Sequence, residues 1–210
     1  IVLASCLLLS MQLSIAQVPA APVPDPPMPA LPVVEKANEL AGAKLIEALR
    51  KGGFVLYMRH AEQIPPKAIE CEPVNLTPAG QDQARKVGAA LRELNIPIAP
   101  LLTSEPCRNL DTAKLLGLGK YEINQGLNPG GMPAGFNPGP PRTRLLATPP
   151  PPGSNALLVS HVHGSRDKSE WMHLELAEII VYRPDGKGAS TPVARVRVEE
   201  WEGLRKLVQP

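Results

Sequence analysis

Three short apolar runs, each stopped by residues able to do chemistry, constrain this chain more than any other feature. The first, Phe54-Val55-Leu56-Tyr57-Met58, is entered through Gly52-Gly53 and ends on Arg59-His60, with Glu62 just beyond. The second runs from Ile96 to Leu102, broken near its entry by Pro97 and Pro100, and ends in Thr103-Ser104 with Arg108 one turn on. The third, Asn155-Ala-Leu-Leu-Val-Ser160, ends at His161. Continuous apolar runs of this length read as strands covered on both faces, the pattern of a parallel sheet. Strands of that kind need helical crossovers, and the intervening segments supply them. Ala41, Leu45, Ala48 and Leu49 share one helical face that stops at Lys51-Gly52-Gly53. Thr77 caps and Pro78 opens a second helix, with Ala84, Val87, Leu91 and Leu94 as its buried stripe. Asn109 to Gly117 reads as a third, with Ser104 as its cap. Tyr121 to Asn124 reads as a short strand and Thr143 to Ala147 as a short helix between glycine- and proline-rich loops. Leu176 to Tyr182 and Val193 to Val198 read as a hairpin around Pro184-Asp185-Gly186, and Glu199 to Leu207 as a closing helix. The fold class expected is α/β, a three-layer α/β/α arrangement with a mostly parallel central sheet.

The 210 residues suffice for one domain with a full core. A net charge of +2 and an aromatic content of 3% leave neither a basic stripe nor a stacking platform, so nucleic acid is not an expected partner. The chain opens on an uncharged apolar stretch, residues 1–16, too short for a comfortable membrane span and closed by the small-x-small site Ser14-Ile15-Ala16. It reads as a secretory signal peptide, which makes the protein periplasmic or secreted with no membrane span in the mature chain. Neither a Met nor a basic stretch precedes Ile1, so the signal is expected to have lost its first residues. Leu3-Ala4-Ser5-Cys6 also resembles a lipoprotein cleavage site, but the apolar run continues well past Cys6 where a lipoprotein turns polar. Residues 17–34 are proline-rich and read as an extended tether, and residues 35–210 as the folded domain. An oxidising compartment would allow Cys71 and Cys107 to pair; two free buried thiols are the alternative.

A right-handed parallel arrangement gathers the three strand ends along one edge of the sheet. Arg59, His60, Arg108 and His161 then face one pocket. Two guanidiniums match the oxygens of a tetrahedral anion, and a neutral imidazole can attack its phosphorus, so the chemistry indicated is phosphoryl transfer with no metal and no cofactor. His161 and His163, two apart, would alternatively suit a metal, but no third ligand at zinc-like spacing follows. His163 and His173 otherwise read as ordinary loop histidines. Ser104 lacks the Gly-x-Ser-x-Gly setting of a nucleophile, and Asp111 belongs on a helix face.

Leu56-Tyr-Met-Arg-His-Ala-Glu62, Asn75-Leu-Thr-Pro-Ala-Gly80, Ser104-Glu-Pro-Cys-Arg108 with Asp111-Thr112-Ala113, and Leu158-Val-Ser-His161 resemble the histidine phosphatase superfamily, branch 1, the phosphoglycerate-mutase-like proteins. The resemblance implies a phosphoglycerate-mutase-like fold and a metal-independent phosphatase acting on small phosphorylated substrates. It implies His60 as the nucleophile, with Arg59, Arg108 and His161 binding the phosphoryl group and Ser104 supporting the pocket. Where the mutases keep an acidic proton donor, Gly126-Leu-Asn-Pro-Gly130 offers no carboxylate; Glu178 and Glu62 are the candidates. Ala61 stands where many members have glycine, and the polar stretch after His161 is short. A phosphohistidine phosphatase and a degenerate, non-catalytic phosphate-binding module are the alternative readings.

Overall fold

The computed structural model describes residues 34–65, 71, 74–128, 142–161 and 174–208. The signal peptide and all but the last residue of the tether lie outside the described residues, as do His163 and His173. The order of elements is α1 (Gly42–Lys51), β1 (Val55–Arg59), α2 (Pro78–Glu93), β2 (Ile98–Thr103), α3 (Cys107–Leu116), β3 (Glu122–Ile123), a 3-10 turn at Gln125–Leu127, α4 (Arg142–Ala147), β4 (Asn155–Ser160), β5 (Ile179–Pro184), β6 (Ser190–Val196) and α5 (Glu200–Lys206). The six strands form one sheet in the order β3-β2-β4-β1-β5-β6. The first four in that order are parallel, while β5 pairs antiparallel with both β1 and β6. The sheet is thus mostly parallel with an antiparallel hairpin on one edge, and the fold is the α/β class expected.

Alternation along the strands divides the core. Leu56, Met58, Leu157, Val159, Ile179 and Val181 face one side and meet Leu45, Ile46 and Leu49 of α1, Val87 and Leu91 of α2, Leu116 of α3 and Trp201 of α5. Val55, Tyr57, Ala156, Leu158, Ile180 and Tyr182 face the other, where α4 and the 3-10 turn contribute Leu146 and Leu127. Among the described residues, four helices therefore cover one face and one short helix the other. On the crowded face α2 and α3 touch at Gly88, where a Cβ would lie 1.8 Å from the Leu116 carbonyl oxygen. At Gly80 a Cβ would lie 2.0 Å from the Glu62 oxygen, so only glycine lets the chain after His60 rest on the start of α2. Thr77 caps that helix as expected, its Oγ1 accepting the Gly80 N–H at 3.0 Å.

Element bounds shift from the sequence reading, β6 running Ser190–Val196 rather than Val193 to Val198, and three of the differences have a local cause. β2 begins at Ile98 rather than Ile96, because the Pro97 carbonyl is taken by the Asn155 N–H and side chain and Pro97 itself has no donor for a ladder. β5 begins at Ile179 rather than Leu176, since Leu176 and Ala177 form a turn with Ala177 in the left-handed region at φ 58. Ser104 does not cap α3, which starts three residues later at Cys107 behind Pro106. No helix among the described residues is long and apolar enough to cross a membrane.

Candidate active site

β4 lies between β1 and β2, in a register that sets Arg59 opposite Ser160 and Thr103 opposite Val159. The ladder continues past the formal strand ends: the His60 N–H donates to the Ser160 carbonyl at 2.9 Å and the Ser104 N–H to that of Val159 at 3.2 Å. Sheet geometry therefore fixes the main chain that carries Arg59, His60, Ser104 and His161.

His60 is 6% exposed, and its Nδ1 lies 2.9 Å from the Ala61 carbonyl oxygen. A carbonyl only accepts, so Nδ1 holds the ring proton and Nε2 keeps its lone pair. Burial lowers the His60 pKa to about 4; Arg108 and Arg59 push in the same direction, and the bond to Ala61 opposes them. Burial thus does more than the neighbouring arginines to hold the ring in its neutral, nucleophilic form at pH 7. His161, 4% exposed, faces it with ring centroids 5.5 Å apart and planes at 63°. Arg108 Nη2 donates to His161 Nδ1 at 3.1 Å. Guanidinium cannot accept, so the His161 proton sits on Nε2 and is donated to Ser104 Oγ at 2.9 Å. Burial first, then Arg108, hold the His161 pKa far below its usual value.

Arg59 Nη1 donates to the Leu174 carbonyl at 2.8 Å. The Nε atoms of Arg59 and Arg108 are buried and have no hydrogen-bond partner among the described residues. A buried unsatisfied donor costs about 1–3 kcal/mol, and two of them on flanking guanidiniums invite an oxyanion. Burial lowers the pKa of both arginines, yet guanidinium stays charged at any working pH.

Several further residues hold this constellation in place. Thr112 Oγ1 accepts the Ala61 N–H at 3.1 Å and donates to the Arg108 carbonyl at 2.7 Å, joining the chain after His60 to the helix that bears Arg108. Tyr57 Oη donates to the His161 carbonyl at 2.9 Å, and Arg142 stacks over the Tyr57 ring at 5.7 Å. Arg142 is buried and its charge adds to those that disfavour a protonated His161. The sequence reading, which began that helix at Thr143, did not point to it. Asp111 lies on α3, its Oδ2 accepting the Asn75 N–H at 2.7 Å. Cys71 and Cys107 are joined by a disulfide, Cα atoms 5.0 Å apart, which ties the loop after β1 to the residue before Arg108.

His60, Arg59, Arg108, His161 and Ser104 therefore meet at the strand ends, with Ser104 serving as His161's partner rather than as a helix cap. Glu178 does not fit the role of proton donor. Its backbone carbonyl accepts the Arg59 N–H, but its side chain is gripped by Arg195, Nε to Oε1 at 2.9 Å and Nη2 to Oε2 at 2.8 Å, while Oε2 also accepts the Glu175 N–H. A carboxylate accepting on both oxygens from a guanidinium is a structural ion pair. Glu62 is half-buried, with its N–H bonded to Gln83 Oε1 and its carbonyl to the Thr77 N–H. Among the described residues no three His, Cys, Asp or Glu side chains cluster so as to hold a metal ion.

No protein-family model matches the chain, and no curated protein matches its sequence. Solved structures do align. The protein histidine phosphatase SixA in complex with tungstate superposes with a TM-score of 0.50 at 17% identity, over 70% of this chain and 98% of its own. A phosphoserine phosphatase from Entamoeba histolytica in complex with 3-phosphoglyceric acid aligns at TM-score 0.46 and 16% identity, over 68% and 95%. A mycobacterial glucosyl-3-phosphoglycerate phosphatase aligns at TM-score 0.44 and 13% identity, over 68% and 98%. With its parallel strand ends, hairpin edge and SixA-like superposition, the chain has the phosphoglycerate-mutase-like fold of the histidine phosphatases.

Proposed function

We propose that this protein is a phosphatase that hydrolyses phosphomonoesters through a phosphohistidine on His60. The observation that carries the reading is the state of His60: a neutral ring, its Nδ1–H committed to Ala61 and its Nε2 lone pair free, beside two arginines with unsatisfied buried Nε–H donors. In the first half-reaction Nε2 attacks phosphorus in line with the departing ester oxygen. Arg59, Arg108 and His161 bear on the phosphoryl oxygens, where charge accumulates in the transition state. The bond from Nδ1 to Ala61 supports the positive charge that the phosphorylated ring acquires. Water then attacks phosphorus and restores His60. No step calls for a metal or cofactor. The leader at residues 1–16 supports export to the periplasm or beyond, with cleavage before Gln17.

The experiment is acid-labile trapping of phosphate from a radiolabelled phosphomonoester on the wild-type protein and on His60→Ala, with chelator present. Label on His60 and loss of turnover in the variant are expected; a His60→Ala protein with undiminished phosphatase activity would sink the reading. Binding of phosphate without turnover by the wild type would instead identify the degenerate module. A second substrate class, protein phosphohistidine, is raised by the superposition on a protein histidine phosphatase, and a phosphohistidine peptide belongs beside phosphomonoesters in the assay.

A further inference from the structure

An alkyl phosphate releases a strongly basic alkoxide unless a proton reaches the bridging oxygen as the bond breaks. The four residues above do not offer one. The His60 Nδ1–H is bonded to Ala61, the His161 Nε2–H to Ser104, and guanidinium does not give up protons. The carboxylates near the strand ends separate by what holds them. Glu178 is clamped by Arg195, Glu175 lies 3.5 Å from Arg197, and Asp111 is occupied by the Asn75 N–H. Glu62 and Glu105 have no Lys or Arg partner among the described residues, and of the two it is Glu105 whose side chain is held in place. It directly follows Ser104, the hydrogen-bond partner of His161. Its N–H donates to Asn128 Oδ1 at 2.9 Å, Asn128 Nδ2 donates back to Oε2 at 3.3 Å, and Gln125 Nε2 donates to Oε1 at 3.4 Å. The turn supplying those amides is itself fastened to the end of β4, because Ser160 Oγ donates to the Leu127 carbonyl at 2.7 Å. The carboxyl group of half-buried Glu105 is thus suspended between the ends of β2 and β4 by neutral amides, with no Lys or Arg ion pair among the described residues.

We propose that Glu105 is the proton donor to the leaving group, an assignment that rests on the phosphatase reading above. In the first half-reaction the His60 Nε2–P bond forms, the ester P–O bond breaks, and the Glu105 carboxyl proton passes to the ester oxygen, releasing a neutral alcohol and leaving a carboxylate. In the second, that carboxylate takes one proton from the attacking water as its oxygen bonds to phosphorus and the N–P bond breaks. Hydrogen phosphate departs, and neutral His60 and the Glu105 acid are restored.

The test is kcat/KM across a series of phosphomonoesters from p-nitrophenyl phosphate to alkyl phosphates, for wild type, Glu105→Gln, Glu105→Asp and Glu62→Gln, with melting curves to establish folding. Glu105→Gln is expected to lose about 10²–10⁴-fold on alkyl phosphates, with the loss shrinking as the leaving group becomes a weaker base. Glu105→Asp, which keeps a carboxyl group, is expected to recover part of the alkyl phosphate activity. An equal loss across the series, or a leaving-group-dependent loss in Glu62→Gln instead, overturns the assignment. His60→Ala with wild-type turnover overturns the phosphatase reading itself, which the nitrophenyl ester reveals whatever Glu105 does.

Discussion

The state of His60 leads to a prediction that can be measured without any substrate. With a pKa near 4 in place of 6.5, about 0.1% of the ring is protonated at pH 7, against roughly a quarter for an unperturbed histidine. Acidification separates the folded and unfolded chains. The unfolded chain takes up its proton near pH 6.5 while the folded site resists until about pH 4. The unfolded state therefore binds more protons throughout that window, and stability falls as the pH drops through it. This group alone accounts for a loss of about 3 kcal/mol between the two limits and none below the lower one. Urea unfolding at a series of pH values should show that slope in the wild type and a shallower one in His60→Gln. Long-range proton–nitrogen correlation spectra should show His60 as the Nδ1–H tautomer, titrating near pH 4. A ring that titrates near 6.5, carries its proton on Nε2, or leaves the stability profile unchanged when replaced would refute the argument from burial.

Further consequences follow from the residues around the site. Reducing the Cys71–Cys107 bond, or replacing both cysteines by serine, should cost about 3–4 kcal/mol in urea unfolding, given a sequence separation of 36. The same change should raise KM through freer movement of Arg108, the residue after Cys107. Thr112→Val leaves the buried Ala61 N–H without its acceptor; a loss of about 1–3 kcal/mol and a lower kcat are expected, read by melting and by turnover. Gly88→Ala forces a Cβ against the Leu116 carbonyl and should destabilise by about 1–3 kcal/mol in a melting experiment while leaving KM near its wild-type value.

The strand ends were legible because each apolar run is punctuated by a residue able to do chemistry, and β4 was bounded to the residue on that basis. The same local logic misplaced Ser104, since a serine before a helical segment looks like a cap until Pro106 restarts the chain and a distant imidazole claims the hydroxyl. Glu178 invited assignment as an acid because Arg195, which clamps it, lies across a hairpin whose register periodicity does not specify. Glu105 escaped notice for the converse reason: its amide partners come from the turn at Gln125–Leu127 and from Asn128, a stretch with nothing to mark it as part of a pocket. The tautomers of His60 and His161 are set by one main-chain carbonyl and one guanidinium, and contacts of that kind leave no trace in residue order.

The position of β4 bears on how the protein acquires activity. β1 and β2, with α2 between them, precede it in the chain, yet they are not neighbours: β4 occupies the gap. Until that late segment inserts, β1 and β2 are not joined through the sheet; Thr112 and the Cys71–Cys107 bond tie the chain after β1 to α3, but His161 is not yet in place. A nascent or clipped chain lacking Asn155–Ser160 does not carry a weaker pocket; it carries none. Assembly of the pocket therefore waits on completion of the sheet.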